Sequence, residues 1–274
     1  MEFGPRLFAI SDVHLNYREN REIADAFQPD GPEDWLAVAG DVAHRQDDII
    51  GFLGRMRDRF AKVMFAPGNH DLWHTGESER RGQDRYLHLV ERCREIDVLT
   101  PEDPYPLWRD PAGDIAVAPL FLLYDYTMRP EGLTKDQAMA ASRVMCSDET
   151  LLPADPYPNR ESWCAARLDY SAARLVALPD GTRTVLISHW PLHPGPVGRL
   201  WYREFSLWCG TRHTADWHRR YRAVCAVYGH LHIPVSETYD GVRFQEVSLG
   251  YPRERAARTR AVDYGLRRIL PMEA

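Results

Sequence analysis

The chain has 274 residues, 44% hydrophobic and 27% charged, proportions that build one substantial core and exclude a disordered class. No apolar run approaches the roughly 18 residues that a membrane-spanning helix needs. A formal net charge of −6 argues against a nucleic-acid partner, which calls for a basic face. From Met1 the chain runs directly into Leu7–Ile10, with no charged region, apolar segment and cleavage site in series, so a cytoplasmic protein is expected.

Leu7–Ile10 and Leu36–Ala39 are short apolar runs that predict strands. Asp47–Phe60 follows with Ile49, Ile50, Leu53 and Met56 at helical spacing, then a strand at Val63–Ala66 and a second helix at Arg80–Ile96. A strand at Ile115–Leu120 precedes a polar segment, 124–170, whose scattered prolines Pro130, Pro153, Pro156 and Pro158 suggest a helical excursion outside the sheet. Beyond a strand at Thr184–Ser188, the segment 191–222 is dense in Trp, Tyr, Phe, His and Arg, and strands at Val224–Tyr228 and Val242–Val247 complete the pattern. The alternation predicts a single α/β domain over 1–274, and insertions of such length in a compact domain serve as lids or binding walls.

Five cysteines, Cys93, Cys146, Cys164, Cys209 and Cys225, show no closely spaced pair, so reduced thiols are expected. Cys209 lies in the aromatic segment, but no Cys–His pairing is legible, and a small thiol more commonly fills a core. Lysine is confined to Lys62 and Lys135; arginine carries the remaining positive charge and is the better bidentate partner for phosphate.

The pattern that carries chemistry is Asp12-Val13-His14, Gly40-Asp41, Gly68-Asn69-His70-Asp71, Ser188-His189 and Gly229-His230-Leu231-His232. Each block follows a predicted strand, and residues just past strand ends gather at one edge of an α/β sheet. Imidazole and carboxylate together suit zinc, iron or manganese, and a carboxylate can bridge two ions. Residues two apart in an extended segment point the same way, so Asp12 with His14, and His230 with His232, can aim at one place. The glycines before Asp41, Asn69 and His230 suggest sharp turns at the strand ends.

This order of blocks resembles the calcineurin-like metallophosphoesterase superfamily, whose signature is D-x-H, GD, GNH followed by D or E, a lone H, and GHxH. The resemblance implies two mixed β-sheets packed together and flanked by helices, a four-layer sandwich. It implies two divalent ions, manganese, iron or zinc: one held by Asp12, His14 and His232, the other by Asn69, His189 and His230, with Asp41 bridging. His70 would be the general acid for the leaving oxygen, with in-line attack by water that the metals activate. The protein Ser/Thr phosphatases of the superfamily orient this histidine with an Asp three residues after the bridging Asp. Here that position is His44, which leaves Asp71 or a residue of the insertions to substitute.

The runs Phe121-Leu-Leu-Tyr-Asp-Tyr, Phe205-Ser-Leu-Trp-Cys-Gly-Thr, Thr214-Ala-Asp-Trp-His and Gly250-Tyr-Pro-Arg-Glu are similar to those of actinobacterial metallophosphoesterases of the 4'-phosphopantetheinyl hydrolase type. That likeness implies a phosphate-ester substrate, the phosphodiester between phosphopantetheine and a holo-acyl-carrier protein. A phosphomonoesterase for a small metabolite, a cyclic-nucleotide phosphodiesterase and an inactive scaffold are the alternatives, though the scaffold reading must ignore a complete ligand set. Candidate substrate contacts are His44, Trp201, Tyr202, Phe205, Trp208, Arg212, Trp217 and Arg253, with Arg203 beside them. The competing reading of the aromatics is packing beneath a long loop.

Overall fold

A computed structural model describes residues 4–76, 79–257 and 265–272. Among the described residues ten strands form two sheets: β1 (Leu7–Ile10), β2 (Trp35–Val38), β3 (Lys62–Phe65), β4 (Leu107–Trp108), β5 (Ile115–Leu120), β6 (Arg183–Ser188), β7 (Ala223–Tyr228), β8 (Ser236–Tyr239), β9 (Val242–Glu246) and β10 (Arg267–Leu270). The smaller sheet has the order β10-β1-β2-β3 and the larger β4-β5-β6-β7-β9-β8. Both are mixed. Strands β1, β2, β3 and β5, β6, β7, β9 run parallel within their sheets, and β10, β4 and β8 pair antiparallel at edges.

Period-2 alternation within the strands builds the layers. Leu7, Ala9, Ala37 and Met64 of one sheet join Val117, Val185, Ile187, Cys225 and Val227 of the other in one buried cluster, the seam between the sheets. Their neighbours Phe8, Ile10, Leu36, Val38, Leu186 and Tyr228 belong to the other cluster, which includes the helical residues Phe52, Leu53, Tyr86 and Trp163. The result is the expected sandwich of two sheets with helices outside. Among the described residues no helix is long and apolar enough to cross a membrane, and all five cysteines are free and buried.

The two early helices stand at Gln46–Arg59 and Gly82–Glu95, within two residues of expectation. The segment 124–170 contains helices at Lys135–Ala141 and Asp148–Leu151 and the start of a longer one, Arg160–Val176, whose Asn159 cap accepts from Ser162 N at 2.8 Å. The segment 191–222 is a strap of short helical turns, among them Pro194–Val197 and Arg203–Trp208.

Candidate metal centre

All the candidate ligands sit just past parallel strands. Asp12 and His14 follow β1, Asp41 follows β2, Asn69 follows β3, His189 follows β6, and His230 and His232 follow β7. Asp12, His14, Asp41, His230 and His232 all adopt positive φ, between 44° and 68°. That left-handed conformation costs a non-glycine residue about 1–3 kcal/mol and gathers at functional sites. Of the glycines before Asp41, Asn69 and His230, only Gly40 has positive φ, +88°, and serves as a turn. Gly229 serves by its lack of bulk, since a Cβ there would lie 2.0 Å from Ser11 Oγ and 2.3 Å from Asp12 Oδ2.

The donor atoms converge in two groups. In the first, His232 Nε2 lies 3.0 Å from Asp12 Oδ1 and 3.2 Å from His14 Nε2. In the second, His189 Nε2 lies 3.0 Å from Asn69 Oδ1, 3.1 Å from His230 Nδ1 and 3.4 Å from Asp41 Oδ2. Asp12, Asp41 and His189 also form a compact set, as do His14, Asp41 and His70, so the two groups adjoin through Asp41.

Hydrogen bonds from behind fix which atoms face inward. His189 Nδ1–H donates to the Ala39 carbonyl at 2.9 Å, which leaves a lone pair on Nε2. His232 Nδ1–H donates to Glu254 Oε2 at 2.7 Å, which turns Nε2 toward Asp12. Asn69 Nδ2 donates to Asp148 Oδ1 at 2.9 Å, turning the amide oxygen inward. Asp12 Oδ2 accepts from His230 N at 2.9 Å and Ser248 Oγ at 2.6 Å, leaving Oδ1 for the cavity. The lone pairs of His189 Nε2 and Asn69 Oδ1 therefore face each other 3.0 Å apart, an arrangement that repels itself unless a cation sits between them. Ligands around an ion at about 2.0–2.1 Å stand roughly this far apart, so the residues fit a metal pair.

The electrostatics divide the ligands: burial works against a charge on His232, but Asp12 and Glu254 outweigh it and hold that imidazole well above the ordinary histidine range. Burial, then the Asp12 and Asp71 charges, push the Asp41 carboxyl well above its usual range. Burial opposes the charge of Asp12, but His232, His189 and His14 outweigh it and hold that carboxyl low. Burial and neighbouring imidazoles keep His14 and His230 well below the ordinary histidine range, hence neutral and able to ligate.

His70 stands at the edge of this cluster, its ring stacked on Trp73 at 3.6 Å and its N–H backbone donating to Asp41 Oδ1 at 2.9 Å. Its Nε2 is 3.8 Å from Asp41 Oδ2, and its Nδ1 is 2.9 Å from His44 Nε2. Asp71 does not orient it. The Asp71 carboxylate accepts instead from the backbone N–H groups of Asp41, Val42, Ala43 and Gly68, at 2.8–3.3 Å, and so holds the two loops together.

The calcineurin-like phosphoesterase family matches residues 5–234. The chain belongs to that family. The acyl-carrier-protein phosphodiesterase PptH of Mycobacterium tuberculosis is 50% identical over 273 residues, which cover 97% of this chain and 84% of that protein. The crystal structure of the same enzyme, phosphopantetheinyl hydrolase, matches with a TM-score of 0.93 and 49% identity, covering 98% of this chain and 96% of the other. This phosphoesterase is accordingly a metal-dependent hydrolase of phosphate esters, built on the family's two-sheet sandwich.

A cavity of about 1070 Å³ opens over the candidate ligands of the phosphoesterase. Of the candidate substrate contacts, Trp201, Tyr202, Phe205 and Arg253 line it. Phe205 stacks over His230 with ring centres 5.6 Å apart, whereas Trp201 is 95% exposed at the mouth. The others lie elsewhere. Trp208 is buried and donates to Glu149 Oε1 at 2.7 Å, and Trp217 packs edge-on against Tyr221. Arg212 donates to the Thr127 carbonyl at 2.9 Å, and His44 sits behind His70 rather than on the wall. For Trp208 and Trp217 packing beneath the loop prevails, because a buried indole N–H needs a partner or a snug apolar site that a cavity wall does not supply.

Asp148, Glu254, Trp73 and Tyr251 escaped the sequence reading. Tyr251 stacks on His14 at 4.4 Å, in the run Gly250-Tyr-Pro-Arg-Glu that also carries Glu254. The family likeness of that run was the one available signal for both. Asp148 had none, being 79 positions from the Asn69 it holds.

Proposed function

We propose that this phosphoesterase hydrolyses the phosphodiester that joins 4'-phosphopantetheine to a carrier-protein serine, releasing phosphopantetheine and restoring the free hydroxyl. The observation that carries the reading is the 50% identity, over 97% of the chain, to an acyl-carrier-protein phosphodiesterase. The cavity supports it: about 1070 Å³ is far more than a phosphate requires, and it leads from the candidate ligands to the exposed Trp201 and Tyr202 and to Met145 on the rim. An amide-bearing arm wants such an aromatic-walled channel with a few polar groups.

In this reading Asp12, His14 and His232 would hold one divalent ion and Asn69, His189 and His230 a second, with Asp41 available to either. When bound, such ions would supply a water that is nucleophilic near neutral pH and would neutralise charge on the phosphoryl oxygens. His70 gives its Nε2 proton to the serine oxygen as the phosphorus–oxygen bond breaks. Trp73 keeps the ring in place beneath that oxygen through the 3.6 Å stack. Phe205 screens His230 from solvent and shapes the wall for the arm. Exposing holo-carrier protein to the metal-loaded enzyme and weighing it by mass spectrometry tests the assignment. Loss of the phosphopantetheine mass is expected; an unchanged mass alongside turnover of phosphomonoesters would assign the site to a smaller metabolite. A His70→Ala variant should keep its metals and lose about 10²–10⁴ fold in turnover of the carrier protein, the range for a general acid.

A further inference from the structure

We infer that His44 is the positioning residue for His70, so that a histidine–histidine pair does here what a carboxylate–histidine pair does in the protein Ser/Thr phosphatases. The inference rests on the acid role given to His70 above, but not on the carrier protein as substrate. His44 Nε2 lies 2.9 Å from His70 Nδ1, and the two rings share Trp73 as a floor, His70 at 3.6 Å and His44 at 4.9 Å. The backbone of His44 is itself held, its carbonyl accepting from Arg85 Nη2 at 2.7 Å while Arg85 Nε donates to the Asp71 carbonyl at 3.3 Å. Among the described residues no carboxylate is placed to accept from His70 Nδ1. The nearest candidates are committed elsewhere: Asp71 to four backbone N–H groups, and Asp41 to the cluster, 3.8 Å from the other nitrogen.

A carboxylate only accepts, whereas imidazole offers one donor and one acceptor. On the far side of His44, Asn16 Nδ2 lies 3.2 Å from Nδ1. An amide carries a donor on one arm and an acceptor on the other, so it serves either His44 tautomer by turning over. With His44 accepting at Nε2, His70 keeps its Nδ1–H bonded inward and presents its Nε2 proton to the cavity. When the phosphorus–oxygen bond breaks, that proton passes to the departing oxygen and His70 is left neutral, its Nδ1–H still donated to His44. Nothing is gained or lost by His44, whose part is orientation.

The test is a series of phosphodiesters whose leaving groups worsen from 4-nitrophenol through phenol to ethanol, run with wild type, H44A, H44D and H70A, each checked for two metals per chain and for its melting curve. A proton donor matters more as the leaving oxygen becomes more basic. The loss in kcat for H44A is therefore expected to grow along the series, reaching about tenfold or more for the ethyl ester. In H44D, whose carboxylate also accepts from Nδ1–H, most of that loss is expected to be recovered. If H44A does not fold, H44L, which keeps bulk against Trp73, is judged by the same slope. A loss that is uniform along the series, or no rescue by H44D, overturns the assignment. A steep slope for H70A with a flat one for H44A removes His44 alone. Flat slopes for both remove the acid role of His70 and this inference with it, while the mass assay on holo-carrier protein is decided separately.

Discussion

Asp148 is buried and Glu254 lines the cavity, and each holds a candidate ligand, Asn69 or His232, in place. Asp148 accepts from Asn69 Nδ2 at 2.9 Å and from Trp73 Nε1 at 2.6 Å, so one oxygen steadies both a ligand and the floor under His70. Removing an outer partner of this kind costs about 10–100 fold in metal affinity. Asp148→Ala should therefore weaken one ion by that amount and leave the other, held by Asp12, His14 and His232, nearly as tight. Calorimetric titration with manganese reads the two sites; equal affinities in variant and wild type would contradict the arrangement. Residue type and order made the ligands and His70 legible, because those side chains must be what they are for the chemistry. Asp148 was illegible because any carboxylate in a polar insertion looks alike until folding brings it across 79 positions. Gly229 was legible only in part: its place before His230 pointed to a turn, whereas space decides it. Gly229→Ala forces a Cβ to within 2.0 Å of Ser11 Oγ and 2.3 Å of Asp12 Oδ2. Overpacking of this sort costs about 1–3 kcal/mol, and urea unfolding of the metal-free protein should show at least that loss together with weaker metal uptake.

At the scale of elements, the two insertions are one device. Glu149, next in sequence to Asp148, accepts from Trp208 Nε1 at 2.7 Å and from Tyr126 hydroxyl at 2.9 Å, and pairs with Arg160. The first insertion thus fastens the strap that presents Trp201, Tyr202 and Phe205, while its neighbouring residue steadies Asn69. Trp201 is 95% exposed and contributes little to the fold. Trp201→Ala should leave the melting temperature and the hydrolysis of a small aryl ester as they were, and raise KM for holo-carrier protein. A KM unchanged for the protein substrate would remove Trp201 from the binding wall. The parallel strands were readable because burial on both faces makes them continuous apolar runs. Strands β4, β8 and β10 were not. One has only two residues, and Ser236–Tyr239 and Arg267–Leu270 are strands in which polar residues such as Glu237, Arg267 and Arg268 break the apolar pattern.

Over the whole molecule, the candidate ligands divide between the sheets. Asp12, His14, Asp41 and Asn69 come from the β1–β3 side, and His189, His230 and His232 from β6 and β7. Each proposed ion would draw ligands from both, and so would clamp the seam at one end. Other links already cross there: Ser248 Oγ and His230 N donate to Asp12, His189 Nδ1 donates to Ala39, and the shared apolar cluster lies beneath. Removing the ions should accordingly loosen the joint without dissolving the fold. A ligand bound only by the native state stabilises it by about 2.7 kcal/mol at 100 times its Kd, and without the ions the facing lone pairs of His189 and Asn69 are left to repel one another. Treatment with a chelator should abolish turnover and lower the melting temperature while keeping a single cooperative transition, and hydrogen exchange should quicken first at the loops after β1, β2, β6 and β7. Readdition of manganese, iron or zinc should restore the transition, and the ion that restores it at the lowest free concentration binds tightest. A melting temperature identical in chelated and metal-loaded protein would mean that the lone pairs are satisfied some other way, and the clamp would have to be abandoned.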